Sequence, residues 1–405
     1  MKKGTPEGMR DYLPDDAALR DEMIGKITST YRSAGFRKIS TPIVETAENL
    51  DGSDGGDNLK LIFRILKRGE KLEKAFASGE GAASLSDLGL RYDLTLPLAR
   101  YYANNCAKLP DPFKCIQIGR VYRAERAQRG RMREFVQCDI DILGSDSTDC
   151  ETELIMVTAE ALKNLGIKDF TVKLNNRALV KSVIISSGFT EEQVNSVCIS
   201  IDKLDKIGTD GVRDELIEKG FDTAAVEKLM DMLGGGSLDE FMDYDGAAQI
   251  DRIMKNVDSI SEGKVRTCFD ITLVRGQGYY TGCVFEIVSE EYGGTIAGGG
   301  RYNGLVERFT GSSVPAVGFS IGFERIFTIL SERGAAAKSS PKAAVIYNDG
   351  DIVRAMKYAA KLKPEYDVCL VLRKKQLGKQ LNALSAQSIA YAAVLGETDE
   401  WKKLN

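Results

Sequence analysis

The stretch FKCIQIGRVYRAERAQRGRMREFVQCDIDILG, residues 113–144, carries the clearest structural pattern in the chain. Apolar and polar residues alternate over 113–125 and again over 133–144, which predicts two β-strands. The polar connector RAQRGRM (126–132) joins them. We therefore expect an antiparallel hairpin with a long, strongly basic loop.

The hairpin is rich in arginine, with side chains at Arg120, Arg123, Arg126, Arg129, Arg131 and Arg133. Guanidinium groups this close repel one another unless an anion lies among them, and their planar fork suits phosphate oxygens. The alternative is a solvated loop in which Glu125 and Glu134 are the partners, and for Arg129 alone this is the better interpretation. The cluster as a whole predicts a phosphate-bearing ligand.

The composition is that of a globular protein with a sizeable core. The 405 residues are 43% hydrophobic and 28% charged, which suggests two to four domains. The formal net charge is −4, so contact with nucleic acid would come from local basic clusters. No apolar run predicts a membrane span, and MKKGTPEGMRDYLPDD has no signal-peptide core. Eight scattered cysteines predict buried thiols in a reducing, cytoplasmic setting.

The chain contains no histidine. This excludes Ser-His-Asp and Cys-His nucleophile systems as well as zinc sites that use histidine. The cysteine spacing argues against an all-cysteine metal site. The chemistry must therefore rest on carboxylates, arginines, lysines, tyrosines or bound Mg²⁺.

Element signals along the chain predict a sheet domain with a helical interruption. Residues 16–36 have helical spacing, and KISTPIVE (38–45) reads as a short strand that Pro42 restricts to an edge or an interface. From about 171 to 260 the pattern is a strand followed by helices, after which strands resume. Beyond a linker at 331–342, a βαβαβ order predicts a small parallel-sheet domain.

Two further motifs place polar groups among apolar residues. LVRGQGYYTGCVFEI (273–287) sets Arg275, Tyr279 and Tyr280 in a strand-like stretch. GGTIAGGGRYNGL (293–305) is a weak candidate for a phosphate cradle. Its glycines more readily indicate a strand whose backbone is closely approached by a ligand or another chain.

Two shorter motifs are ambiguous in isolation. FSIGFERI (319–326) places Arg325 at the start of a helix, where it could bind an anion or only contact solvent. LRYDLTLP (90–97) puts Arg91 and Asp93 on one face of an extended run, which alone is an ordinary surface salt bridge.

In chain order, these motifs together resemble the class II histidyl-tRNA synthetases. The matching segments are GTPEGMRDYLP, LRYDLTLPLARY, the hairpin, LVRGQGYYTGCVFE, AGGGRYNGL and VPAVGFSIGFERI, and they span residues 4–330. Arg-Gly-x-x-Tyr-Tyr is a signature specific to that family. The chain departs from many members at Gln277-Gly278, usually Leu-Asp, and at Asn303, usually Asp.

The resemblance implies an α+β fold, with a mainly antiparallel sheet flanked by helices. It implies a catalytic domain in two parts, 1–170 with motifs 1 and 2 and 262–331 with the histidine signature and motif 3. Residues 171–261 would form a helical insertion domain, and 341–405 a shortened α/β domain that resembles an anticodon-binding domain. The strand with Pro42 would lie at a homodimer interface.

The implied reaction uses L-histidine and ATP with Mg²⁺ to form histidyl-adenylate and pyrophosphate, and then transfers histidine to tRNA(His). The resemblance gives catalytic roles to Arg123 and Arg275, both at the α-phosphate. ATP contacts fall to Arg123, Glu125, Arg131 and Arg325. Histidine contacts fall to Asp93, Thr95, Gln137, Asp141, Tyr279 and Tyr280, and contacts with the tRNA acceptor end to Arg126 and Gln128. No side chain is assigned to a metal.

An alternative within the same fold is a non-catalytic paralogue, the histidine-sensing regulatory subunit of ATP phosphoribosyltransferase. Such regulators typically have lost ATP-site residues and lack the anticodon-binding domain. This chain keeps Arg123, Arg275 and Arg325 together with most of a tail domain. These features favour the enzyme.

Overall fold

The structure, a computed structural model, describes residues 3–52, 60–79, 81–126, 131–274, 280–337, 341–396 and 399–404. The chain divides into two compact units, Met1–Ala335 and Ala336–Asn405. Among the described residues, the first unit contains an eight-stranded and a three-stranded sheet, and the second unit contains a four-stranded sheet.

The described part of the first unit contains both strands and helices. Its strands are β1 Arg37–Lys38, β2 Val44–Thr46, β3 Arg64–Leu66, β4 Ser86–Leu90, β5 Phe113–Tyr122, β6 Glu134–Leu143, β7 Thr171–Asn176, β8 Arg266–Phe269, β9 Cys283–Ser289, β10 Gly294–Arg301 and β11 Ala316–Gly322. Its helices are α1 Pro14–Ser33, α2 Ala47–Gly52, α3 Glu70–Ser78, α4 Thr95–Asn105, α5 Asp149–Asn164, α6 Arg177–Ser186, α7 Val194–Ile201, α8 Leu204–Glu218, α9 Thr223–Leu233, α10 Ala247–Ser261, α11 Asn303–Thr310 and α12 Phe323–Glu332.

A sheet of eight strands in the order β1-β5-β6-β11-β10-β9-β7-β8 organises this unit. The central pairs are antiparallel, and only the two edge pairs, β1 with β5 and β7 with β8, are parallel. The predicted hairpin is confirmed, since β5 pairs with β6 from Phe113–Leu143 to Tyr122–Glu134. The α+β fold, a mainly antiparallel sheet flanked by helices, is confirmed as well.

Strand β6 buries the side chains of one of its faces in the core of the first unit. Cys138, Ile140 and Ile142 alternate along it and are fully buried. Helices α5 and α12 contact β6. Each fully buried aliphatic side chain of this kind contributes about 1.5–3 kcal/mol. Because successive side chains of a strand point to opposite faces, the polar residues between them lie on the other face of the sheet.

The prediction of one strand through Pro42 is wrong. The segment forms two short strands in different sheets, because β1 joins the large sheet whereas β2 joins a three-stranded sheet in the order β2-β4-β3. Pro42 lies between them. Its carbonyl and that of Thr41 accept hydrogen bonds from the Arg91 guanidinium, at 3.4 and 2.9 Å. A proline, which donates no backbone hydrogen bond, fits this irregular link.

The interpretation of Arg91 and Asp93 as a surface salt bridge, which their motif suggests in isolation, does not hold, since both residues are buried. The Arg91 Nε donates to the Arg120 carbonyl at 2.9 Å. Desolvation lowers the pKa of Arg91. Arg91 therefore ties the link before β2 to β5 from inside the protein.

The strand followed by helices that is predicted from about 171 onward is confirmed, and the strand belongs to the large sheet. Strand β7 pairs with β9 and β8, so the helices start only at Arg177. Helices α6 to α10 follow, and Gly208, at φ 72°, produces a kink within α8. The range 171–261 as a separate insertion domain stays a prediction.

The second unit has the predicted βαβαβ order. Its elements are β12 Lys342–Tyr347, α13 Ile352–Leu362, β13 Asp367–Leu372, α14 Leu377–Ser385, β14 Ile389–Val394 and β15 Glu400–Lys403. Strand β12 pairs in parallel with β13 and β14, as expected of alternating strands and helices. Strand β15, which the sequence pattern did not predict, adds antiparallel to β14.

All eight cysteines are free thiols, and five of them are buried. Across the described ranges, no helix is long and apolar enough to span a membrane.

Candidate active site

A cleft of about 820 Å³ in the first unit gathers residues that are far apart in the sequence. Its lining includes nearly every predicted site residue that the structure describes: Asp93, Thr95, Arg123, Glu125, Arg131, Gln137, Asp141, Tyr280 and Arg325. Arg126 is exposed and is not among the lining residues. Arg275, Tyr279 and Gln128 lie outside the described residues.

Asp141 presents a carboxylate oxygen to this cleft. The Tyr302 hydroxyl donates to its Oδ1 at 2.6 Å, and Gly318 lies opposite it on β11. A Cβ on Gly318 would lie 1.9 Å from Oδ1, so only glycine admits the carboxylate. Asp141 Oδ2 is buried and has no hydrogen-bond partner among the described residues. A buried acceptor that faces a cleft and has no partner in the protein is available to a donor of a bound ligand.

Burial raises the pKa of Asp141 to about 7; the hydrogen bond from Tyr302 acts against this, and the charge of Asp93 adds to it. Burial raises the pKa of Asp139 well above its usual value too, and the nearby Asp141 raises it further. This face of β6 therefore favours a ligand that brings positive charge or hydrogen-bond donors.

Asp93 lies at the start of α4. Its Oδ1 accepts a hydrogen bond from the backbone N–H of Leu96 at 3.1 Å, which helps to satisfy the first turn of the helix. The positive end of the helix dipole stabilises a carboxylate in this position. Thr95, the first residue of α4, follows it into the cleft.

Arg123 is held at the end of β5 by its Nε and its flat face. The Nε donates to the Tyr92 carbonyl at 3.0 Å, and the guanidinium lies 5.1 Å from the centre of the Phe135 ring. These contacts fix the direction in which the guanidinium enters the cleft.

Arg129 lies outside the described residues, and the hairpin arginines Arg131, Arg120 and Arg133 divide between two roles. Arg131 faces the cleft and lies 3.7 Å from Glu125, a pair that is weak by itself because it is open to solvent. Arg120 lies 3.7 Å from Glu134, and the Arg133 Nε donates to the Glu125 carbonyl at 2.9 Å. For Arg120 and Arg133, these contacts support the alternative interpretation, in which oxygen atoms of the protein rather than of a bound anion are the partners.

Arg325 enters the cleft from the first turn of α12. Its Nη1 donates to the Thr295 carbonyl of β10, and the guanidinium lies 5.8 Å from the centre of the Tyr292 ring. Its neighbour Glu324 accepts two hydrogen bonds from Arg20, at 2.6 and 2.8 Å. A helix N-terminus with an arginine beside it suits an anion.

The glycine-rich strand β10 accommodates bulky neighbours. A Cβ on Gly300 would lie 2.9 Å from the ring of Tyr280, which is half-buried and lines the cleft. The expected close approach to β10 is therefore observed, with a side chain of the same chain as the neighbour. Tyr280 packs on the core cluster that contains Tyr302.

The sequence interpretation missed several lining residues, namely Asp139, Glu286, Tyr302 and Ser320. For Asp139 a signal existed. Gln137, Asp139 and Asp141 follow a period of two on one strand and therefore share a face. Ser320 and Tyr302 reach the site through the pairing of β11 and the end of β10, which no local pattern reveals.

Replacing Asp141 by asparagine is expected to stabilise the fold above neutral pH. The native carboxyl has a pKa of about 7 against a usual 3.8, so the native state binds more protons between these values. The free energy of unfolding of the unmodified protein therefore falls as pH rises through this window. The asparagine variant lacks this loss and should be more stable at pH 8 by an amount on the order of a few kcal/mol.

Urea unfolding at pH 5 and pH 8 measures the difference. Asp146→Asn, at an exposed carboxyl, is the matched control and should unfold like the unmodified protein at both pH values. If the free energy of unfolding changed with pH in the same way in Asp141→Asn and the unmodified protein, the proposed destabilisation by the buried Asp141 carboxylate would be contradicted.

Comparison with known proteins identifies close relatives of this arrangement. A family model described as histidyl-tRNA synthetase matches residues 8–326. The chain is 43% identical over 360 residues to a histidine–tRNA ligase of Leifsonia xyli subsp. xyli (strain CTCB07), covering 83% of this chain and 82% of that protein. It is 33% identical over 431 residues to a histidine–tRNA ligase of Christiangramia forsetii, covering 98% and 93%.

Solved structures agree with this comparison. Histidyl-tRNA synthetase from Nostoc sp. PCC 7120 superimposes with a TM-score of 0.79 at 28% identity, covering 100% of this chain and 95% of that one. A Bacillus halodurans protein described as an ATP phosphoribosyltransferase regulatory subunit/histidyl-tRNA synthetase has a TM-score of 0.77. At 21% identity, that second likeness shows the shared fold alone.

Proposed function

Because this chain belongs to the histidyl-tRNA synthetase family, we propose that it activates L-histidine with ATP and transfers the histidyl group to tRNA(His). The observation that carries the proposal is the single cleft. Arginines suited to a triphosphate and a set of acceptors suited to histidine line the same space. Activation needs both substrates there at once, because proximity converts a two-molecule encounter into one oriented step.

Histidine would lie against the open face of β6. Asp93, Thr95 and Gln137 supply oxygen atoms for the α-ammonium group. Asp141 Oδ2 and the Tyr280 hydroxyl would form hydrogen bonds with the two imidazole nitrogens. By resemblance, Tyr279 would lie beside the imidazole as well. Each ring nitrogen of imidazole requires its own partner, and a carboxylate with a phenol supplies both.

ATP would occupy the arginine side of the cleft. Arg123, with Arg275 by resemblance, would contact the α-phosphate, and Arg131 and Arg325 the outer phosphates, while Glu125 lies near the adenine. A carboxylate oxygen of histidine attacks the α-phosphorus, an O–P bond forms, and the bond to pyrophosphate breaks. The arginines stabilise the charge that moves onto the phosphate oxygens.

Mg²⁺ is expected to arrive with ATP. It prefers phosphate oxygens and water, complemented by one or two carboxylates. The cleft lining includes the carboxylate of Glu286, so the residues present fit such an ion. Bound Mg²⁺ would neutralise phosphate charge.

For the second step we propose that Arg126 and Gln128 contact the tRNA acceptor end and that the second unit contacts the anticodon. A homodimer in the cytoplasm is part of the proposal. Apolar side chains on and next to the small sheet are exposed, namely Ile43, Val44, Leu66 and Leu88. A second copy that covers them would remove this apolar surface from water.

Charging of tRNA tests the proposal. The protein, incubated with radiolabelled histidine, ATP, Mg²⁺ and a tRNA transcript for histidine, should yield acid-precipitable histidyl-tRNA. A transcript for another amino acid is the control. Histidine binding with neither pyrophosphate exchange nor charging would instead support the regulatory paralogue.

Tyr280→Phe is expected to weaken histidine binding by about 5- to 150-fold, because a buried imidazole nitrogen would lose its partner at a cost of about 1–3 kcal/mol. Isothermal titration with histidine measures the change. Tyr347→Phe in the second unit is the matched control. Unchanged affinity in Tyr280→Phe would remove the proposed contact.

A further inference from the structure

We infer that Asp139 and Ser320 are positioning residues that orient the side-chain amide of Gln137, so that its carbonyl oxygen faces the α-ammonium group of the substrate. The inference rests on the proposed function, since it concerns the amino acid bound in this cleft.

The three side chains form a small network on the cleft face of the sheet. Asp139 is 4% exposed and lies across from Ser320 in the pairing of β6 with β11. The Ser320 hydroxyl donates to Asp139 Oδ1. The Gln137 Nε2 lies 3.4 Å from Ser320 Oγ and 3.5 Å from Asp139 Oδ2.

When Asp139 is ionised, the number of available protons fixes the direction of the hydrogen bonds in this network. Ser320 gives its only proton to the carboxylate, so its oxygen acts as an acceptor toward Gln137. Both neighbours of Gln137 are then acceptors, and each attracts the amide N–H₂. The opposite orientation would set the amide oxygen against a carboxylate oxygen, with no proton between them.

Two acceptor atoms on β6 consequently favour a ligand with several hydrogen-bond donors. Gln137 Oε1 and Asp141 Oδ2 are both buried, and neither has a hydrogen-bond partner among the described residues. Both side chains line the cleft. An ammonium group offers three N–H donors and a positive charge, so it satisfies the amide oxygen. The imidazole N–H remains for Asp141.

Asp139 acts through Gln137 only as a carboxylate. Buried beside Asp141 and Asp93, it has a raised pKa, while Arg123 and the Ser320 hydrogen bond favour its ionised form. The bound ammonium group adds positive charge and favours that form as well. Asp139 thus provides an acceptor for the amide without contacting the substrate.

Asp139→Asn tests the inference, because the new carboxamide can donate to Gln137 Oε1 and reverse the amide. A donor would then face the ammonium group. By isothermal titration with the full chain, histidine should bind at least about tenfold more weakly, while ATP affinity stays within about twofold. Ser320→Ala, which removes one partner only, should give a smaller loss confined to histidine.

A ligand without the ammonium group identifies which contact is affected. The unmodified protein should prefer histidine over 3-(imidazol-4-yl)propionate by at least about tenfold, and Asp139→Asn by less than about threefold. Adding Gln137→Glu to Asp139→Asn should restore most of the histidine affinity, since a carboxylate accepts in either orientation.

Three results would overturn the inference. They are histidine affinity in Asp139→Asn within twofold of the unmodified protein, equal weakening of both ligands or of ATP, and a double variant that folds but stays as weak as Asp139→Asn. An unmodified protein that does not bind histidine would instead contradict the proposed function.

Discussion

Replacing Arg123 by alanine is expected to lower histidine-dependent ATP–pyrophosphate exchange by about 10²- to 10³-fold, with little change in the melting temperature. Removing one preoriented donor at a centre of developing charge typically has an effect of this size. Arg123 is already oriented, because the Tyr92 carbonyl and the Phe135 ring hold its guanidinium. No new ordering is needed when a phosphate arrives.

The control for this variant comes from the same hairpin. Arg120→Ala removes an arginine that is largely exposed and is not among the cleft-lining residues. It should exchange pyrophosphate within about twofold of the unmodified protein, since an exposed ion pair contributes little. Equal losses in both variants would show that bulk positive charge, rather than the position of Arg123, matters.

Arg301→Ala is expected to reduce the free energy of unfolding by about 3–5 kcal/mol. The Arg301 Nε and Nη2 donate to the two carboxylate oxygens of Glu151 at 2.7 and 2.8 Å. Glu151 is fully buried, so truncation of Arg301 leaves a carboxylate without its counter-ion away from water. Activity should fall too, because Arg301 precedes Tyr302, whose hydroxyl holds Asp141.

Denaturant unfolding of a double variant distinguishes the stabilisation by the ion pair from the cost of leaving one buried charge without its partner. When Arg301→Met is combined with Glu151→Met, both charges are gone and most of the lost stability should return. A single Arg301→Ala variant that unfolds within about 1 kcal/mol of the unmodified protein would contradict the assigned role.

Local patterns predicted the parts of the fold that depend on local physics. Alternation over residues 113–144 sufficed for the hairpin, since a strand with one buried face must alternate. The βαβαβ order of the second unit followed from the change of period between strands and helices. The convergence of Arg123 and Arg325 on one cleft could be expected from the resemblance, because motifs in a known order imply a known topology.

What failed depended on contacts distant in sequence. The local sequence suggests that Arg91 is a surface cation, whereas in the structure its guanidinium donates to the carbonyls of Thr41 and Arg120. The strand at 171–176 was predicted but its place in the large sheet was not, because its partners, β8 and β9, lie about 100 residues further on. The role of Asp139 depends on Ser320 across the sheet, so the period-two pattern alone could place it but not explain it.

The most direct test of the central claim is ATP–pyrophosphate exchange measured with each of the twenty amino acids in turn. If the arginines and the acceptor set of this cleft activate histidine together, exchange should require Mg²⁺ and respond to L-histidine alone. Exchange that is absent with histidine, or equally fast with other amino acids, would contradict the account.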